Sequence, residues 1–130
     1  MGKQQGKIII EPGLNVWPHE LRTAKALAEA GYTVEFIKKS NTPHEKTADI
    51  MIDGMLREMK APNGSSLKRV EKNIRRALAQ SCNVVFDSRR MKGIPDSAIE
   101  RELRTCAFGR VKRLDHLLFV NRKGAVIDIK

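Results

Sequence analysis

Asp49, Glu58 and Lys60 are the residues whose types and spacing could do chemistry. They lie in Ala48 to Lys60, two short apolar arms around Asp53-Gly54, the strongest short hairpin signal a sequence offers. With Asp53-Gly54 as a two-residue loop, Ile52 faces Met55, Met51 faces Leu56 and Asp49 faces Glu58. Strand side chains alternate with period two, so Glu58 and Lys60 point the same way. Asp49 shares their face because directly paired residues do. Two carboxylates that converge on a sheet repel unless a cation sits between them. Their hard oxygens suit Mg²⁺ or Mn²⁺. Asp53 has a conformational reason to be where it is and reads as a turn residue.

Glu20 is a fourth candidate. It falls on the segment His19 to Ala30 with Ala24 and Leu27 at i+4 and i+7, on the apolar face of a helix. Two readings stand: a carboxylate aimed at the site, or a first-turn acid that favours the helix dipole.

The elements that must position these residues follow from local pattern. Pro18 opens the first helix and Gly31 ends it. Tyr32 to Ile37 is a β-branched and aromatic strand, and residues 38–47 form a polar loop around Pro43. After the hairpin, Ala61-Pro62-Asn63-Gly64 breaks the pattern. Ser65 or Ser66 caps a helix that runs to about Gln80, with Leu67, Val70, Ile74 and Leu78 inward. Asn83 to Asp87 is a short continuous apolar strand of the buried kind. Asp96 or Ser97 starts a third helix that aligns Ile99, Leu103 and Cys106. Leu114 to Asn121 and Ala125 to Ile129 close the chain as a hairpin. The order is α-β-β-β-α-β-α-β-β, an α/β (α+β) fold with a mixed central sheet flanked by helices. We expect one domain over residues 1–130, with 1–14 as a loosely ordered lead-in.

Charge narrows the partners. The 130 residues carry 25 Lys and Arg against 15 Asp and Glu, a net charge of +10. Residues 1–60 hold nine basic and eight acidic side chains, and residues 61–130 hold sixteen and seven. Such an excess favours a polyanion through counterion release, with nucleic acid ahead of an anionic membrane. The six aromatics, Trp17, Tyr32, Phe36, Phe86, Phe108 and Phe119, are too few for a sheet-borne base-stacking platform. No apolar run can span a bilayer, and Ile8 to Ile10 is too short for a signal-peptide core. The expected location is cytoplasmic. Cys82 and Cys106 lack metal-ligand spacing and read as reduced core thiols. His19, His44 and His116 have no mutual spacing for zinc.

The Asp-x(8)-Glu-x-Lys pattern on a hairpin, after an acid on a first helix, resembles the PD-(D/E)xK nucleases of restriction-endonuclease-like fold. The order Gly31-Tyr32-Thr33-Val34-Glu35-Phe36, Lys46-Thr47-Ala48-Asp49, Glu58-Met59-Lys60-Ala61-Pro62, Arg76-Ala77-Leu78-Ala79-Gln80-Ser81 and Asn83-Val84-Val85-Phe86-Asp87 narrows the likeness. It is similar to the C-terminal tRNA-nuclease domain of CdiA-type contact-dependent growth inhibition toxins and their free-standing relatives. Ala48 stands where the superfamily's name has Pro, which is not a ligand. Read as a chain that starts at its own Met without a delivery region, the sequence is expected to suit a stand-alone gene of a phage or mobile element as well.

The resemblance implies roles. Asp49 and Glu58, with the Met59 carbonyl, would hold Mg²⁺ or Mn²⁺. Lys60 would orient the attacking water and steady charge on the phosphate, and Glu20 would contact water at the metal. This is metal-assisted hydrolysis of a phosphodiester. Structured RNA such as tRNA is favoured over DNA, and a cognate immunity protein is an expected partner. Lys68, Arg69, Lys72, Arg75 and Arg76 cover the outside of the second helix against one acid, Glu71, a phosphate-binding pattern. Arg89 and Arg90 would extend that surface. Gln80 sits where similar proteins bring a Gln to the active site, and it also reads as a plain helix-end polar residue. The alternatives are a DNA nuclease with the same site and a non-catalytic basic binding module. The latter gains nothing from acids that face phosphate.

Overall fold

A computed structural model describes residues 5–38 and 48–130, with side chains in the second stretch from Ile50 onward. The polar loop read at 38–47, with His44, lies outside the described residues except for Lys38. The chain divides into two compact units, Met1–Arg57 and Glu58–Lys130. Seven strands and three helices are described, so the mixed α+β class expected from sequence holds.

The first unit opens with a strand that the local pattern leaves unassigned, β1 (Ile8–Ile10), paired parallel to β2 (Val34–Lys38). Three β-branched residues are too short a run to announce a strand, and the long-range pairing makes it one. Gly6, just before it, donates its N–H to Ala28 O at 2.7 Å. A Cβ there would stand 1.8 Å from Tyr32 O, so only glycine permits this approach. Between the two strands runs α1 (Pro18–Glu29). It ends in a Schellman arrangement: Tyr32 N–H donates to Leu27 O, Gly31 N–H to Ala28 O, and Gly31 has φ of 102°. Thr23, Ala24, Ala26, Leu27 and Ala28 are buried on α1, as are Val34 and Phe36 on β2 and Ile50 and Ile52 on the next strand. That next strand, β3 (Ala48–Ile52), pairs antiparallel with β2 and with the start of β4 (Met55–Lys60).

In the second unit the later residues of β4 pair parallel with β5 (Asn83–Asp87), and β5 pairs parallel with β6 (His116–Val120). Each parallel step crosses over through a helix, α2 (Lys68–Ala77) and α3 (Asp96–Thr105). β7 (Val126–Asp128) returns antiparallel to β6. Val84, Val85, Phe86 and Asp87 are all buried, the continuous burial a central parallel strand requires. The core joins Val70, Ile74 and Ala77 of α2 to Ile99 and Leu103 of α3 and to Val84, Phe86, Leu117 and Phe119 of the strands.

Two sequence expectations change, and one feature is new. Leu67 precedes α2 and is exposed, not inward, because the helix starts at Lys68, after Ser66 Oγ accepts from Lys68 N–H. Cys82 is exposed, whereas Cys106 is buried. α3 passes into a π-helical turn, Cys106–Arg110, closed by Val111 N–H donating to Cys106 O at 2.8 Å. Among the described residues no helix is long and apolar enough to cross a membrane.

Candidate functional site

Asp53 and Gly54 both have positive φ, 50° and 81°, as a two-residue turn matched to strand twist requires. Asp53 Oδ1 accepts from Thr33 N–H at 2.8 Å, and Asp53 N–H donates to Thr33 O at 2.9 Å. It is a turn residue. The register is the one the turn dictates, with Ile52 opposite Met55, Met51 opposite Leu56 and Ile50 opposite Arg57. From Glu58 onward β4 takes β5 as its partner, with Glu58 opposite Val84 and Lys60 opposite Phe86.

Two residues apart on this strand, Glu58 and Lys60 share a face. Lys60 Nζ stands 3.6 Å from Glu58 Oε2, and the side chains are 27% and 28% exposed. Partial burial strengthens the attraction relative to bulk water and still leaves the pair open to a ligand. Met59, between them in sequence, is half-buried. Asp49 pairs through its backbone with Ile37, and its side chain lies outside the described residues. Glu20 Oε1 accepts from Trp17 N–H at 3.1 Å, so one carboxylate oxygen satisfies a free donor at the start of α1. Glu20 and Asp49 belong to the first unit, and Glu58, Met59 and Lys60 to the second.

The basic residues separate by what they touch. Arg69 crosses Gly64, where a Cβ would lie 2.5 Å from its Nε, and Arg90 Nη1 donates to Ala61 O at 2.9 Å. Both guanidinium groups therefore border the segment that leaves Lys60. Arg89 turns inward: its Nη2 lies 2.8 Å from Asp87 Oδ2, with side chains 13% and 5% exposed. Lys68, Lys72 and Arg76 are exposed on α2, and Gln80 is exposed beyond its end. His19 stacks on Trp17, with ring centroids 6.3 Å apart, and His116 is a strand residue of β6.

Arg75 is held by Glu71, Nε to Oε2 at 2.9 Å. Arg110 of the π turn bonds the other Glu71 oxygen at 3.1 Å and Glu102 Oε2 at 2.7 Å. Hydrogen bonds from Arg75 and then Arg110 hold the Glu71 carboxyl below its usual range. The bond to Glu71, aided by Glu102, raises Arg110. Burial, with help from Glu102 and Glu71, pushes the Cys106 thiol up to about 11. Ligand atoms of Glu71, Glu102 and Cys106 lie within 4.8 Å of one another. Arg110 already bonds both carboxylates and the thiol stays protonated, so this is an ion-pair cluster. Sequence reasoning missed Glu102 and Arg110. Eight residues apart, they meet across the wider π-helical turn that follows α3.

A family model described as the contact-dependent growth inhibition CdiA C-terminal domain matches residues 46–126. The chain belongs to this family. Residues 46–126 include the whole hairpin with Asp49, Glu58 and Lys60, and all of α2 and α3. A solved structure titled "CdiA-CT/CdiI toxin and immunity complex from Burkholderia pseudomallei" contains a chain with the same fold as this CdiA C-terminal domain. The TM-score is 0.70 at 19% identity, over 96% of this chain and 99% of that one. No curated protein sequence matches.

Proposed function

We propose that this CdiA C-terminal domain is a toxin nuclease that hydrolyses phosphodiesters with a divalent metal, in the PD-(D/E)xK manner, and acts on structured RNA such as tRNA. The observation that carries the reading is the Glu58–Lys60 pair, side by side on one face of a strand that leaves a two-residue turn. Asp49 is the second acid of this reading because the turn at Asp53-Gly54, by sequence count, sets it against Glu58; the observed ladder follows that count from Ile52–Met55 to Ile50–Arg57.

By its chemistry the donor set fits Mg²⁺ or Mn²⁺: the carboxylates of Asp49 and Glu58 and the carbonyl of Met59 are hard oxygens. When bound, the metal supplies an activated water and offsets charge on the phosphate. Lys60 orients the attacking water and stabilises the phosphate oxygen that gains negative charge. Glu20 positions water with the carboxylate oxygen that does not cap α1. Lys68, Arg69, Lys72, Arg75 and Arg76 hold the substrate backbone. The related fold occurs in a toxin and immunity complex, which supports an immunity protein as the partner of this chain.

The test is incubation of the purified chain with tRNA, single-stranded DNA and duplex DNA, in Mg²⁺ and in EDTA. Cleavage of tRNA in Mg²⁺ that EDTA and Lys60→Ala both abolish is the expected result. Cleavage that persists in EDTA removes the metal from the reading, and cleavage of DNA alone removes RNA.

A further inference from the structure

Lys68, Lys72 and Arg75 recur at i, i+4 and i+7 along α2 and so form one stripe of it. This stripe is distinct from Arg69, which lies over Gly64. Opposite the stripe stand Glu102 of α3 and Arg110 of the π turn, and together with Glu71 these residues line a groove of about 430 Å³. A second hollow of about 330 Å³ shares Arg75 and Arg110 and adds Lys112 and Arg113. Six cations thus face two carboxylates. The carboxylates are not free to repel an anion: Glu71 bonds Arg75 and Arg110, and Glu102 bonds Arg110. Among the described residues Lys68, Lys72, Lys112 and Arg113 are exposed and have no ion-pair partner.

We infer that the phosphate-binding stripe of α2 continues across this groove to the π turn, so that a stretch of the nucleic-acid substrate lies along Lys68, Lys72, Lys112 and Arg113. Glu71 and Glu102 act as positioning residues that fix Arg75 and Arg110 along the floor of the groove. The inference rests on the nucleic-acid reading above and extends it to residues 110–113, which the sequence pattern does not single out. A nucleic acid fits better than an acidic protein. Protein interfaces are depleted in Lys and are anchored by apolar or aromatic residues at their centre. Here the apolar lining residues, Leu78 and Val111, are buried. Phosphate contacts, by contrast, come from exposed Lys and Arg and need no apolar anchor.

The experiment is fluorescence anisotropy of labelled tRNA with the full chain, in EDTA to prevent hydrolysis, over a range of salt concentrations. The variants are Lys68→Ala/Lys72→Ala, Lys112→Ala/Arg113→Ala and, as a control away from the groove, Lys123→Ala. Each double variant is expected to weaken binding and to flatten the slope of log K against log salt by about 1.4–1.8, two phosphate contacts' worth. The control keeps the wild-type slope. A wild-type slope in both double variants overturns the inference, and if they also lose labelled polyglutamate, the groove docks an acidic protein instead. Failure of the wild-type chain to bind tRNA overturns the nucleic-acid reading with it. Cleavage of tRNA by a chain whose double variants keep the slope overturns only the groove.

Discussion

Lys60 Nζ and Glu58 Oε2 lie 3.6 Å apart on one face of β4, each side chain about three-quarters buried. The pair places a cation beside a carboxylate where the strand exchanges its antiparallel partner for a parallel one. A partly exposed ion pair contributes about 0–1 kcal/mol. Lys60→Ala is therefore expected to change stability and tRNA affinity little and to abolish cleavage. A melting curve, an anisotropy titration in EDTA and a cleavage assay on the same preparation check this. Loss of binding with turnover intact would contradict the role given to Lys60.

Metal should stabilise the folded chain by mass action, by about 2.7 kcal/mol at a hundredfold excess over its dissociation constant. Titration of Mn²⁺ or Mg²⁺ is expected to raise the melting temperature, and Asp49→Asn or Glu58→Gln to remove that gain. Equal melting temperatures with and without metal, at concentrations that support turnover, would speak against the carboxylate pair.

Glu20 has a capping role already visible, since it accepts from Trp17 N–H. Gln can make the same bond, so Glu20→Gln should cost only the dipole contribution, about 0.3–1 kcal/mol. Turnover is expected to fall by roughly 10–100-fold, as when a residue that supports a metal site is changed. Unchanged turnover in Glu20→Gln would make Glu20 a helix-capping residue and nothing more.

Arg89 closes on a buried acid, Asp87. Removal of one partner from such a pair costs about 3–5 kcal/mol, because the other charge stays behind in the interior. Arg89→Ala is expected to lower stability by that order in urea denaturation. A stability equal to that of an exposed control, Arg76→Ala, would show that the pair is not what holds Asp87.

The Cys106 thiol sits at about 11 against an ordinary value of 9.0. Between those values the unfolded chain loses its proton and the folded chain keeps it, so the unfolded state binds fewer protons and stability falls as pH rises. Cys106→Ala is expected to show a shallower decline in melting temperature from pH 9 to 11 than the wild-type chain. At neutral pH a thiol reagent should label exposed Cys82 and spare Cys106. Parallel pH profiles would remove the thiol from the alkaline transition.

The residue types alone determined what depends on near neighbours. Asp53-Gly54 sets its own turn and thereby the register from Ile52–Met55 to Ile50–Arg57, and period-two alternation puts Glu58 beside Lys60. Gly31 ends α1 and the apolar run of β5 is buried for the same local reasons. The tertiary structure decided what depends on residues far apart in the chain. Ile8 to Ile10 became a strand only through β2, and Arg89 went inward only because Asp87 is buried beneath it. Arg110 reached Glu71, 39 residues away, only through a π turn. Local periodicity fixes which way a side chain points, because backbone geometry repeats every few residues. The element it then meets is set by packing, where burial and charge pairing across the chain outweigh local preference.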